Sequence, residues 1–370
     1  MKTVLTIFVG LRGGGVSYAF EMVKGLVDNG CSVVAIVSNK MENIEKWRKM
    51  DGVSLFEVKG YSTFLNFLPN LLFFFLVEQR KIKKEIKDYA IDVIYIPMGS
   101  YWNYFVFKSF SNYRMIFTLH DVFPHDGKKT IGWRLSDLLA KKSNEIIILS
   151  DCFREEVRRR YNKSDDKIYT LSFGFQDYYE NSTIKNSITK ERTTEQVFTF
   201  LFYGRITQYK GIDILVKAFK IVHSQINNVK LLIAGSGDLS PYNFLFSDLD
   251  SKSLSIVNRW IEDDEVSGFF SGENVITVLP YKSATQSAVI PIAMSFGSLV
   301  IATRCSGIEE QITDGVTGVL ANPDDVSDFS EKMLYVINHW NEMDTIIKKA
   351  KDTINRNSWK EIAKSLLERI

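Results

Sequence analysis

The sequence predicts an α/β protein made of two doubly wound domains of similar size, facing each other across a cleft. Three observations carry that expectation. Short apolar runs alternate with helix-periodic segments along the chain, as parallel sheets with crossover helices require. A polar, charged stretch at 176–196 nearly lacks aliphatic residues and divides the pattern in two. At 370 residues the chain is long for one domain and comfortable for two. The expected layout is an N-terminal domain over 1–175, a linker over 176–196 and a C-terminal domain over 197–356.

In the first half the strand candidates are 4–9, 32–37, 53–58, 93–96, 115–119, 145–149 and 167–171. Each is a short apolar run, the form taken by strands buried on both faces. Between the first two, Val16, Ala19, Phe20, Val23, Leu26 and Val27 share one helix face, and Asn29-Gly30 supplies a stop. The second half offers strands at 197–203, 229–234, 254–257, 275–279 and 299–302. A helix opens at Lys210-Gly211, with Ile212, Leu215, Val216 and Phe219 on its apolar face. Another is expected over 287–296, with Gly297 behind it.

Composition excludes several classes. Hydrophobic content of 45% and charged content of 24% describe an ordinary soluble globular protein. A net charge of +2 makes no electrostatic case for nucleic acid. Cys31, Cys152 and Cys305 lie far apart without metal-ligand spacing, and a sparse, odd count fits a reducing cytosol. The opening MKTVLTIFVG reads as a buried strand and not as a targeting peptide. No apolar run reaches the roughly 18 residues of a spanning helix. The expected location is cytoplasmic, at most at the inner face of the cell membrane.

Ligands of open parallel sheets sit beyond the carboxyl ends of the strands, so the post-strand loops carry the functional information. Foremost is Gly204-Arg205-Ile206-Thr207-Gln208-Tyr209-Lys210-Gly211. Two cations at a strand-to-helix turn suit a diphosphate, and a helix N-terminus adds amides and a positive dipole end. A solvated basic turn leaves the same pattern. After the first strand, Arg12-Gly13-Gly14-Gly15 permits close backbone approach to a phosphate or sugar; a turn that only packs the helix is the alternative. The dinucleotide fingerprint fails here: Tyr18 stands where its third glycine is needed, and Ser38-Asn39-Lys40 offers no acidic ribose ligand. The loop after 115–119 holds His120, Asp121 and His125. It reads as a polar or catalytic loop, or as a structural His-Asp pair, and lacks metal-ligand spacing. Gly235-Ser236-Gly237 again allows close approach. Thr285, Gln286 and Ser287, with the amides of Ser287, Ala288 and Val289, form an uncharged anion cradle if they open a helix.

The order of these pieces resembles the GT-B glycosyltransferases, specifically the retaining glycosyltransferase family 4. The resemblance covers nearly the whole chain and is strongest over 200–323. Its motifs are the Gly-rich first loop, Thr118-Leu119-His120-Asp121, Gly204-Arg205-x4-Lys210-Gly211, Ala234-Gly235-Ser236-Gly237-Asp238 and Val300-Ile301-Ala302-Thr303-x3-Gly307-Ile308-x-Glu310. Asp314-Gly315-Val316-Thr317-Gly318 with Asn322-Pro323 completes them. The resemblance implies two Rossmann-like domains in the GT-B arrangement. It implies that Arg205 and Lys210 bind the pyrophosphate of a nucleotide-diphosphate sugar, UDP favoured over GDP. His120 would lie near the transferred sugar, and Trp260-Ile261 would hold the base through backbone. Gly14, Gly15, Gly204, Gly235, Gly237, Thr285, Gln286, Ser287, Ala288 and Val289 fall to the donor side. Arg12, Asp121 and His125 fall to the acceptor side. Ser358-Trp359 would start a last helix, over 357–370, that crosses back toward the N-terminal domain. Ala284 and Ile292 stand where the family usually carries two glutamates, a variant similar to that of surface-polysaccharide glycosyltransferases. No cofactor and no metal are expected, since fixed cations and amides can neutralise the leaving group.

The most apolar stretch, 64–77, precedes Arg80, Lys81, Lys83, Lys84 and Lys87. An apolar helix beside a basic one reads as a surface resting on anionic lipid; a buried helix with a solvated basic successor is the alternative. The leading expectation is retaining sugar transfer to a lipid-linked glycan in bacterial surface-polysaccharide assembly. A GT-B sugar-nucleotide epimerase and a non-catalytic GT-B partner subunit are the competing readings.

Overall fold

A computed structural model describes residues 2–61, 64–124, 129–174, 197–272 and 274–370. The proposed linker at 176–196 and His125 lie outside the described residues. The chain divides into unit 1, Met1–Ser172 with Ser358–Ile370, and unit 2, Phe173–Asn357.

Unit 1 is built on strands β1 (Thr3–Phe8), β2 (Ser32–Ser38), β3 (Val53–Val58), β4 (Val93–Ile96), β5 (Met115–Leu119), β6 (Glu145–Ile148) and β7 (Ile168–Thr170). They pair in the order β3-β2-β1-β4-β5-β6-β7, and every pair is parallel. All six residues of β1 are buried, which explains why the sequence shows runs there and not alternation. One strand charge is internal: Glu145 is 1% exposed and is met by Arg114 at 3.0 Å and Lys167 at 3.0 Å. Without those partners its burial would be costly. Helices α1 (Gly14–Asp28), α2 (Ile44–Arg48), α3 (Phe64–Phe73), α4 (Gln79–Ile86), α5 (Asn103–Lys108), α6 (Ile131–Lys142) and α7 (Arg154–Tyr161) connect the strands. A π turn at Phe74–Glu78 joins α3 to α4. Asn29-Gly30 ends α1 as expected, with Gly30 at φ +76° and its amide on the Val27 carbonyl.

Unit 2 repeats the plan with β8 (Phe198–Tyr203), β9 (Val229–Ala234), β10 (Leu254–Val257), β11 (Val275–Leu279), β12 (Leu299–Thr303) and β13 (Val319–Ala321). Its order is β10-β9-β8-β11-β12-β13, again all parallel. Strand β13 has no counterpart in the sequence reading, because three residues are too few to show a period. Helices α8 (Ile212–Gln225), α9 (Val266–Phe270), α10 (Val289–Ser295), α11 (Ser306–Glu309), α12 (Val326–Asn338) and α13 (Trp340–Arg356) complete the unit. The two Rossmann-like domains predicted from the sequence are thus present. In each sheet the order reverses beside the first strand, β1 with β4 and β8 with β11. Loops diverge there to opposite faces and leave room for a ligand.

The last helix, α14 (Trp359–Leu367), belongs to unit 1. Ser358 caps it by accepting from the Glu361 amide. It lies on α1, where the Asn29 side-chain amide donates to the Lys360 carbonyl at 2.7 Å. Gly25 makes the contact close: a Cβ there would stand 2.5 Å from the Trp359 carbonyl oxygen and 2.8 Å from Ala363 Cβ. A Gly25→Ala change gains about 1 kcal/mol of helix propensity. Overpacking against backbone costs about 1–3 kcal/mol and wins. The variant is expected to unfold at lower urea than the parent, with α14 released first in amide exchange.

Candidate functional site

At the unit 2 switch point β8 ends in Gly204-Arg205 and β11 ends in Pro280-Tyr281. The two loops touch through backbone. Gly211, at φ +70°, passes so close to Pro280 that a Cβ would stand 1.9 Å from its carbonyl oxygen. The Lys282 amide donates to the Tyr209 carbonyl at 2.8 Å, and Lys282 Nζ pairs with Asp213 at 2.9 Å. Lys210 ends a one-turn 3-10 segment, and its ammonium lies 3.8 Å from the centre of the buried Tyr281 ring. That cation–π contact fixes the charge over the loop floor. Arg205 is exposed and forms no ion pair among the described residues.

In unit 2, Thr207 Oγ1, Asp213 Oδ1 and Gln286 Oε1 are buried without a hydrogen-bond partner among the described residues. Leaving such atoms unmatched costs about 1–3 kcal/mol each.

The expected amide cradle needs correction. Helix α10 starts at Val289, not at Ser287. The Ser287 amide already donates to Gln311 Oε1 at 2.7 Å, and the Val289 amide donates to Ser287 Oγ at 3.3 Å. Gln311 Nε2 returns a bond to the Ser287 carbonyl at 3.0 Å. The Ser287 main chain is therefore committed to the fold by a side chain 24 positions away, and the Val289 amide by the Ser287 hydroxyl two positions before it. Gly307 closes the same contact, since a Cβ would stand 1.7 Å from the Thr285 carbonyl oxygen. Ile292 is 5% exposed in the unit 2 core, and Ala284 packs against that core. Sequence reasoning missed Tyr281, Asp213 and Gln311. Tyr281 was legible as an aromatic at a strand end; nothing near Gln311 announced its role.

The other post-strand glycines serve loop packing. A Cβ on Gly235 would stand 1.9 Å from the Gly204 carbonyl oxygen, and one on Gly237 2.3 Å from that of Ile206. Beyond β10, Trp260 is 37% exposed, Ile261 is buried, and the Trp260 carbonyl accepts from Arg259 at 3.0 Å. Arg259 is in turn held by Glu265.

In unit 1 the loop after β1 is tied to the loop after β4. The Val9 amide donates to Asn103 Oδ1 at 2.7 Å, and Ser100 Oγ donates to the Val9 carbonyl at 3.0 Å. Gly15 packs, since a Cβ would meet Met98 Sδ at 2.1 Å, whereas Gly13 and Gly14 face open space. The Gly13 amide is taken by the Glu42 carboxylate at 2.9 Å. Arg12 is exposed and Asp121 half-buried.

His120 is 8% exposed, and its Nε2 lies 2.9 Å from the Pro97 carbonyl. A carbonyl only accepts, so Nε2 carries the proton and Nδ1 of the neutral ring is an acceptor. Behind the ring stands Tyr18, edge-on at 4.6 Å, and behind Tyr18 stands Trp359 at 5.2 Å. Tyr95 and Thr118 extend this buried polar column.

Burial lowers the His120 pKa, against smaller raising effects of Asp121 and the Pro97 carbonyl. The unfolded chain then binds the proton at a higher pH than the folded one. Stability is full above the ordinary histidine value of about 6.5 and falls as pH drops through it. Melting curves from pH 7.5 to 5 should show a steeper decline for the parent than for His120→Gln. Equal slopes would remove His120 as the cause.

Two family models match the chain. "Glycosyl transferases group 1" matches residues 197–339 and "Glycosyltransferase Family 4" matches residues 12–175. An uncharacterised glycosyltransferase of Methanocaldococcus jannaschii is 23% identical over 373 residues, covering 95% of this chain and 92% of that protein. The capsular polysaccharide biosynthesis glycosyltransferase CapM of Staphylococcus aureus is 26% identical, covering 55% of each chain. Among solved structures, Anabaena HepE in complex with UDP-glucose superposes with a TM-score of 0.74 at 15% identity, covering 100% of both chains. With one model on each unit and the fold shared throughout, the chain belongs to the GT-B glycosyltransferases.

Proposed function

We propose that the protein transfers a sugar from a nucleotide diphosphate, UDP in preference to GDP, to a lipid-linked glycan with retention of configuration. The setting proposed is surface-polysaccharide assembly at the inner face of the cell membrane. One observation carries the reading: Arg205 and Lys210 sit in the post-β8 loop at the unit 2 switch point, with the Lys210 ammonium held 3.8 Å from the centre of the Tyr281 ring. The pair offers positive charge to a diphosphate, with Lys210 anchored on the Tyr281 ring. The UDP-glucose held by the Anabaena neighbour and the capsular role named for the Staphylococcus relative support the donor class and the setting.

The step breaks the bond from the anomeric carbon to the diphosphate oxygen and forms one to an acceptor oxygen on the same face. The acceptor proton passes to the departing phosphate. Charge grows on that phosphate as the bond stretches, and cations already in place stabilise it without reorganisation. Lys210 is well suited, because the Tyr281 ring and the short turn hold it before substrate arrives. His120 is proposed to hold a hydroxyl of the transferred sugar through Nδ1. No metal is required in this scheme.

Arg205→Ala and Lys210→Ala should each cost about 2–4 kcal/mol in the transition state, or roughly 10²–10³ in turnover, with unchanged melting. Near-parental rates in both would sink the donor site. A melting panel of nucleotide sugars should find one class that raises the midpoint with the logarithm of its concentration. Transfer should persist in excess chelator; loss restored by magnesium or manganese would contradict charge neutralisation by Arg205 and Lys210.

A further inference from the structure

The segment from α3 through the π turn to α4 has two unlike long faces. Inward, Leu71, Phe74, Ile82 and Ile86 are buried in the unit 1 core. Ile82 and Ile86 follow Phe74 by eight and twelve residues, spacings that drift off one face at about 3.6 residues per turn. The π turn absorbs one residue and brings them back. Outward, Leu65, Leu68, Leu72 and Leu76 are 87%, 62%, 54% and 60% exposed, at spacings of three, four and four. Arg80, Lys84 and Lys87 continue that stripe at spacings of four, four and three, and all three are exposed. Lys81 and Lys83 flank it; Glu85 and Asp88 are the exposed carboxylates nearby.

Soluble surfaces scatter their leucines singly, and an aligned row marks a face that something covers. Here the row changes from leucine to cation along one helix face. An interfacial bilayer layer has the matching order of chemistry, acyl chains beside phosphate. We propose that this face docks on a bilayer containing anionic lipid, with the four leucines at the acyl boundary and Arg80, Lys84 and Lys87 on lipid phosphates. None of the helices described is long and apolar enough to cross a membrane, so the contact is peripheral.

The docked face lies beside the carboxyl edge of the unit 1 sheet. Asn70 donates to the Gly60 carbonyl at 2.9 Å, Phe67 meets Tyr61 at 5.4 Å, and Tyr61 meets Tyr101 at 5.7 Å. A lipid-linked acceptor could keep its tail in the bilayer while its glycan reaches those loops. That consequence rests on the proposed transfer reaction; the docking does not.

Cosedimentation of the full chain with phosphatidylglycerol–phosphatidylcholine vesicles, against phosphatidylcholine alone, tests it. Binding is expected only with the anionic lipid and should weaken as salt rises. Arg80→Gln, Lys84→Gln and Lys87→Gln together should lower affinity about a hundredfold. Leu68→Asn with Leu72→Asn should abolish binding at every salt concentration with an unchanged melting midpoint. If that pair melts early, the glutamine triple decides alone. No binding at low salt, binding that survives both sets, or a dimer in sedimentation velocity that the leucine changes dissolve without any lipid binding would overturn the proposal. Vesicle binding with no transfer from any nucleotide sugar would keep the docking face and sink the reaction.

Discussion

The unit 2 site depends on one close approach, the Gly211 backbone against the Pro280 carbonyl. Any side chain at 211 would push the post-β8 and post-β11 loops apart. With the gap closed, Lys282 can bond Tyr209 through backbone and Asp213 through its side chain. Tyr281 is then placed under Lys210. A flexible, strongly hydrated ammonium becomes a located charge, which is what electrostatic stabilisation of a leaving group needs.

The same economy of backbone shapes the wall behind that charge. Gln311 satisfies both main-chain groups of the buried Ser287, so that residue needs no place in a longer helix. The consequence is chemical: amides spent on Gln311 and Ser287 are not left for a ligand. In the proposed reaction, recognition of the diphosphate therefore falls to Arg205 and Lys210 more heavily than to amides at a helix N-terminus.

Unit 1 solves a different problem. His120 sits at the end of a buried column, Trp359–Tyr18–His120, and its proton is assigned by the Pro97 carbonyl. The first residue of the final helix thus props the ring from behind. On the outer side of the same unit, the π turn reconciles two demands on one segment: an inward face that must meet the core and an outward stripe of leucine and cation.

The alternation of apolar runs and helix periods determined the two doubly wound sheets, and the Gly204–Gly211 loop was legible as a cationic turn after a strand. Both are local patterns, and burial on both faces of a parallel sheet writes them directly into the residues. The three-residue β13 carried no period to read. Tertiary structure alone decided that Ser287 turns its amide to an internal partner, because Gln311 lies 24 residues away and only packing brings it there. It alone decided that residues 64–87 are both core and surface. Composition reports how apolar a segment is, while the helical register, shifted here by one π turn, sets which side meets water.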